Sequence, residues 1–358
     1  MQVQRKQLNF EGQNIYVGID VHKKQWNVSI MSEQLEHKTF SQKPEVGDLV
    51  NYLKRNFPGA NYYSACEAGF SGFWAHRDLE KLQIHNIVVN AADIPTTQKE
   101  KTQKTDKRDS RKIARSLRAG ELEAIYVPSE KTQADRTLIR TRTAIRKDLT
   151  REKNRVKSLL NFYGIQTPEQ FNKQTGNRSK NYMQWLSEIP IEHSSLKYAM
   201  QIILKEVLEL RKLQLETNRH IRQLSRGEAY AKNMELLTSV PGVGLLTGMT
   251  LLTEIEDINR FHNTDKLAGY VGLIPKTHSS GDKENVGEIT FRGHIMREML
   301  VESAWTAARL DPALCLAYSE LCKRMKPNQA IIRIARKLLN RIYSILRTQE
   351  SYVYGVVQ

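Results

Sequence analysis

The order of apolar runs across residues 15–90 constrains this chain more than any other feature. Ile15 to Val21 and Gln25 to Met31 are β-rich runs separated by a short polar turn, which predicts a hairpin. A helix is predicted from Glu45 to Asn56, where Val46, Leu49, Tyr52 and Leu53 recur at helical spacing. YYSACEAG then reads as a short strand ending at Glu67, followed by a helix through Leu79 and Leu82 and a buried strand in IHNIVVN. Strands and helices mixed in this order predict an α/β domain on a central sheet.

With 358 residues the chain has room for two or three domains and a core that needs no disulfide or structural metal. Its formal net charge of +16 points to a polyanionic partner, nucleic acid first. A basic membrane-surface protein would carry an amphipathic anchor or a lipidation motif, and the sequence has neither. No apolar region follows the charges of MQVQRKQLNF, and no apolar run approaches the roughly 20 residues of a membrane span. Three cysteines without paired spacing, Cys66, Cys315 and Cys322, fit a reducing cytoplasm, and Cys315 and Cys322 read as core packing on a helix.

From Thr97 to Gly120 the composition turns basic, with nine Lys and Arg against Glu100, Asp106 and Asp109. Thr105 is a candidate N-cap for a helix to Leu117, with Gly120 as its stop. Two long helices follow. Leu138, Ile145, Leu149, Val156 and Leu159 form one seam, and Leu196, Met200, Ile203, Val207, Leu210, Thr217, Ile221 and Leu224 form another, so the pair reads as a coiled-coil arm or as part of a globular bundle. The first arm helix carries Arg136, Arg140, Arg142, Arg146 and Lys147 as a basic surface. The polar linker from Gly164 to Pro190 caps the arm as a loop or small helical element. MELLTSVPGVGLLTGMTLLTEI predicts a helix-hairpin-helix whose Gly242 and Gly244 let backbone amides approach a phosphate. A partly apolar stretch, a polar loop around HSSGDK, and helices from Met296 to Arg309 and Gln329 to Arg347 complete the chain.

Asp20 interrupts an apolar strand, where a carboxylate is costly to bury without a nearby cation. Glu67 ends a strand, and Asp106 and Asp109 share one helix face. Together such acids would hold Mg²⁺, which takes oxygen ligands and bridges phosphate oxygens. Each acid also has a plainer role, as a first-turn helix acid, a strand-end acid or a turn residue. The two serines of HSSGDK likewise read as turn residues when taken alone.

GIDVHKKQWNVSI, ACEAGFSGFW and KTDKRDSRKIARSL, in that order, resemble the N-terminal domain of the DEDD transposases of the bridge-RNA-guided insertion-sequence family one-ten. LLTSVPGVGLLTGMTLLTEI, KLAGYVGLIPKTHSSG and GEITFRGHIMREMLVESAW resemble that family's second domain. The resemblance implies a RuvC-like, ribonuclease-H-like α/β domain over residues 1–128, an antiparallel coiled-coil arm over 129–230 and a mainly helical transposase domain over 231–358. It places Asp20, Glu67, Asp106 and Asp109 on the metal ligands, with Mg²⁺ as cofactor, and Ser280 on the DNA nucleophile, with Ser279 as the alternative. The implied protein is a bacterial cytoplasmic recombinase, associated with the nucleoid when bound to DNA, acting as a dimer or tetramer on double-stranded DNA under a structured guide RNA. Related DNA invertases share the plan. Lys107, Arg108, Arg111, Lys112, Arg115, Lys276 and Arg292 are candidate phosphate contacts. Two other readings stand beside it: a junction resolvase or nuclease using the carboxylates alone, and a non-catalytic nucleic-acid scaffold.

Overall fold

The computed structural model describes residues 9–71, 73–96, 105–172, 180–280, 283–289 and 294–354. The chain divides into two compact units, one ending at Val127 and the other beginning at Pro128.

The first unit is a five-stranded sheet with helices on both faces. Its strands are β1 (Asn14–Val21), β2 (Trp26–Ser32), β3 (Glu36–Gln42), β4 (Asn61–Glu67) and β5 (His85–Val89), in spatial order β3-β2-β1-β4-β5. The first three run antiparallel as a meander, whereas β4 and β5 lie parallel to β1. Such a mixed α/β arrangement is compatible with a ribonuclease-H-like domain. The meander's third strand was not foreseen, because EHKTFSQ lies at an edge with its first three residues exposed and carries little apolar signal.

Alternation along β1 decides which side chains meet which helix. Ile15, Val17 and Ile19 enter the core with Trp26, Val28 and Ile30, beneath α1 (Val46–Asn56) and α2 (Trp74–Lys81). Tyr16, Gly18 and Asp20 therefore face the other side, where α3 (Asp106–Arg118) packs. Helix α3 begins after Thr105 and ends before Gly120 at φ +68°, as its capping residues foretell, although the Thr105 hydroxyl makes no capping bond.

Gly18 is where β1 and α3 touch. A Cβ there would lie 2.1 Å from the Ser110 carbonyl oxygen and 2.4 Å from the Ala114 nitrogen, both backbone atoms that cannot rotate away. The neighbouring strand adds a bond from Ser29 Oγ to Ser110 Oγ at 2.9 Å, fully buried. Gly18→Ala is expected to force the helix off the sheet at a cost of about 1–3 kcal/mol, as overpacking does. Thermal denaturation checks this, and an unchanged melting temperature would contradict the contact.

The second unit is helical apart from one hairpin. Helices α4 (Glu130–Phe162) and α6 (Ser194–Ser225) pack along their lengths in antiparallel sense, since Arg142 Nε donates to Asn218 Oδ1 at 3.1 Å and Arg155 meets Glu206 at 3.6 Å. Both seams hold in outline, with Met200, Val207 and Ile221 of the second and Leu149 and Val156 of the first buried, although near the start of the first Ile139 and Thr143 are buried and Leu138 and Ile145 only half-buried. Between the two helices, α5 (Lys180–Glu188) packs Tyr182 and Leu186 against Val156, Leu160, Met200 and Leu204.

The basic surface foreseen on the first arm helix needs correction at its root. Arg136 is buried and donates to the Thr253 carbonyl at 3.0 Å, while Arg140 clasps Glu254 through bonds of 2.8 and 2.9 Å. A charge buried as far as Arg136 must be paired, and together with the exposed Arg140 it fastens α4 to α8.

Helices α7 (Ala231–Thr238) and α8 (Leu245–Ile255) stand on either side of the PGVG turn, and the apolar stretch that follows is helix α9 (Thr264–Val271). The polar region around HSSGDK was expected to be a loop; instead β6 (Pro275–Ser280) pairs antiparallel with β7 (Lys283–Ile289). Its mixture of polar residues hid a two-stranded ribbon that lacks the usual apolar alternation. Helices α10 (His294–Leu310), α11 (Pro312–Cys322) and α12 (Pro327–Thr348) close the core. The assignment of both helical cysteines to the core holds for one and is corrected for the other: α11 buries Leu314 and Leu321, Cys322 is half-buried against the core, and Cys315 is exposed. Among the described residues, no helix is long and apolar enough to cross a membrane.

Candidate functional site

The four foreseen carboxylates all belong to the first unit, where Glu67, Asp106 and Asp109 each act on Asp20. Ile19 is paired with Cys66 across parallel strands β1 and β4, so Asp20 and Glu67 follow side by side where those strands end. The first turn of α3 supplies Asp106 and Asp109 on the same sheet face as Asp20. Gly18 sets the distance, because its missing side chain lets the Ser110–Ala114 stretch of α3, just past that turn, come down on the strand.

Electrostatics registers this convergence. Burial pushes the Asp20 carboxyl above its ordinary value, His22 opposes the rise, and the charges of Asp106, Asp109 and Glu67 add to it. Three carboxylates acting on a fourth with only 15% of its side chain exposed favour a cation.

His22 was not foreseen as part of the cluster. Its Nε2 lies 3.1 Å from Asp20 Oδ2 and 3.8 Å from Asp106 Oδ2, and one ligand atom from each of these three residues falls within 4.8 Å of the others. The signal was present in the spacing, since residues two apart share a face at the end of a strand. Carboxylate oxygens with one imidazole are a donor set suited to a divalent cation.

The basic residues of α3 divide into two groups. Lys107, Arg108 and Arg115 are exposed and Arg111 and Lys112 half-buried, with Arg111 paired to Glu36 and Lys112 to Asp109 at 3.6 Å. Lys112 therefore holds an acid of the cluster in place. Lys99, Lys101 and Lys104 of the basic stretch lie outside the described residues.

In the second unit, Ser279 and Ser280 end strand β6, in register with Glu284 and Lys283 of β7. Lys276 stands in the same strand, and Arg292 lies outside the described residues. Gly242 adopts φ +84°, and a Cβ on it would come 2.3 Å from the Ser303 carbonyl oxygen, so its first requirement is close packing of the hairpin turn on α10. Gly244 has open space where a side chain would stand and precedes the first turn of α8.

Residues 17–165 match the DEDD transposase model of the IS110 group, described as a transposase, and residues 234–319 match the model described as transposase IS116/IS110/IS902 family. A Sinorhizobium fredii protein named as a candidate transposase is 33% identical over 247 residues, covering 68% of this chain and 58% of that protein. The transposase for insertion sequence element IS1111A of Coxiella burnetii is 25% identical over 265 residues, covering 71% of this chain and 70% of its own. The transposase for insertion sequence element IS1533 of Leptospira borgpetersenii is 24% identical over 350 residues, covering 91% of this chain and 96% of its own. Asp20, Glu67, Asp106 and Asp109 all fall within the first matched segment, whose DEDD acids imply a divalent metal, and Ser279 and Ser280 fall within the second. The chain belongs to the IS110 family of DEDD transposases, enzymes that cleave DNA and transfer its strands.

Proposed function

We propose that this protein cleaves and rejoins double-stranded DNA through a covalent phosphoserine on Ser280, with Mg²⁺ held by Asp20, Glu67, Asp106 and Asp109. The observation that supports it most is the convergence of four carboxylates, with Asp20 pushed toward its protonated form by burial and by its three acidic neighbours. We read residues 1–128 as a RuvC-like catalytic domain, 129–230 as a coiled-coil arm and 231–358 as the serine-bearing transposase domain.

In the reaction, Ser280 Oγ forms a bond to phosphorus as the bond from phosphorus to the leaving DNA oxygen breaks. The serine proton goes to solvent or a nearby base, and the departing oxygen takes one up. When bound, the cation supplies charge neutralisation at the phosphoryl oxygens and eases loss of the hydroxyl proton. Asp20 and Glu67, fixed at strand ends, hold their oxygens in place, while Asp106 and Asp109 are carried by the rigid first turn of α3. The phosphoserine bond conserves the energy of the broken linkage, so strands can be resealed without ATP. Lys107, Arg108 and Arg115 engage DNA phosphates, with the Lys276 and Arg292 side chains and the amides of Gly242 and Gly244 as further contacts.

A structured guide RNA fits the net charge of +16 and is the element that selects the DNA sequence, because phosphate contacts carry none. The working assembly is a dimer or tetramer in the bacterial cytoplasm. To test the proposal, the protein is purified with its co-purifying RNA and given supercoiled DNA bearing the matching ends and Mg²⁺. Recombinant product that disappears after ribonuclease treatment is expected; equal product after treatment would remove the guide, and relaxed or linear DNA without rejoining would favour a nuclease.

A further inference from the structure

Apart from the carboxylates, the second unit contains an open cavity of about 1110 Å³. Its floor is apolar, made by Leu273, Leu321, Met325 and Ile332 with Pro275 and Ile289 from the roots of the hairpin strands. Its rim is cationic, made by Arg297, Arg324, Arg333, Arg336 and Lys337. Helix α12 creates this contrast. Ala330, Ile331, Ile334, Ala335 and Leu338 enter the core, while Ile332, Arg333, Arg336 and Lys337 recur at three- and four-residue spacing on the adjoining face, which lines the cavity.

Two of the five cations have work inside the unit: Arg336 pairs with Asp265, and Arg297 donates to the Gly272 carbonyl at 3.3 Å. Arg324, Arg333 and Lys337 are exposed, and among the described residues their side chains have no hydrogen bond or ion pair. Nor does any carboxylate line the cavity among those residues. An apolar floor under uncompensated positive charge calls for a ligand that carries anionic groups and flat apolar faces in one molecule. Duplex DNA keeps its bases stacked inside, where the apolar floor cannot reach them; a single strand offers phosphates and open base faces together.

We infer that this groove binds single-stranded DNA, with phosphates at Arg324, Arg333 and Lys337 and unstacked bases on the apolar floor. The inference rests on DNA being the substrate, but not on the choice of nucleophile. Pro275 begins the strand that ends at Ser280, about 17 Å further along at the usual rise, so the bound segment would flank the serine end of the hairpin.

The test uses the full chain carrying R333E and K337E together, and separately Ile332→Gln. Fluorescence anisotropy measures binding of labelled oligothymidylate, oligouridylate of equal length and a duplex, each over a range of salt. The charge variant is expected to bind oligothymidylate about tenfold or more weakly with a salt slope shallower by about two phosphate contacts, while duplex affinity changes by less than about threefold. Ile332→Gln is expected to weaken oligothymidylate binding without altering the salt slope. Thermal melting establishes that both variants fold. Oligothymidylate affinity within about twofold of the parent would overturn the inference. So would equal loss for the duplex, which means a bare phosphate surface, or loss confined to oligouridylate, which means an RNA surface. Failure of the carboxylate mechanism would appear instead in cleavage by the Asp20 variant, which leaves these binding measurements unchanged.

Discussion

Asp20→Asn is expected to lower the rate of DNA cleavage by about 10³-fold or more while leaving a protein that, without divalent cation, melts no lower than the parent. The two halves of this result share one cause. Burial raises the Asp20 carboxyl, and Asp106, Asp109 and Glu67 raise it further against the pull of His22. A carboxyl raised on folding binds more protons in the folded than in the unfolded state, so its contribution to stability falls as pH climbs from the ordinary value through the raised one. At neutral pH the charged acid is thus a local liability, which asparagine removes at nearly equal size. The same charge is what a cation needs. Mg²⁺ at about 100 times its dissociation constant should stabilise the parent by about 2.7 kcal/mol, and the variant should show little of that gain. Melting curves with and without Mg²⁺, together with a supercoiled-DNA cleavage assay, check both halves. Parental cleavage, or an undiminished Mg²⁺ shift, would contradict the role given to Asp20.

Ser280→Ala is expected to remove strand transfer and the covalent protein-DNA adduct together, by roughly 10⁴-fold or more, as loss of an attacking nucleophile does. Ser279→Ala, one position earlier in β6, should keep both. Because the carboxylates belong to a different unit from the serine, Ser280→Ala should also retain the Mg²⁺-dependent rise in melting temperature that Asp20→Asn loses. That combination separates loss of the nucleophile from collapse of the metal site. Continued cutting by Ser280→Ala, with water-derived ends and no adduct, would mean that the carboxylates hydrolyse DNA unaided. Loss in Ser279→Ala with retention in Ser280→Ala would move the nucleophile by one residue.

The sheet was readable because its inner strands carry their own signals. β1 and β2 show apolar runs broken by a polar turn, and the four carboxylates sit at strand ends and in the first turn of a helix, where sequence position already fixes direction. Contacts between elements distant in sequence were not readable. Nothing in GIDV says that Gly18 will lie against Ser110, since that closeness depends on how α3 crosses β1. Likewise Arg136 reads as surface charge until α8 brings the Thr253 carbonyl and Glu254 beside it. The hairpin bearing Ser280 was hidden for a different reason. Its strands are largely polar and, among the described residues, pair only with each other, so the sequence carries no apolar alternation to mark them.

The most direct test of the account is to trap the protein-DNA adduct with Mg²⁺, digest the protein and identify the nucleotide-bearing peptide by mass spectrometry in the parent and in Asp20→Asn. The account predicts a nucleotide linked through phosphate to Ser280 in the parent and no adduct in the variant. A linkage to any residue outside Ser279 and Ser280, or an adduct formed equally well without the Asp20 carboxylate, would contradict it.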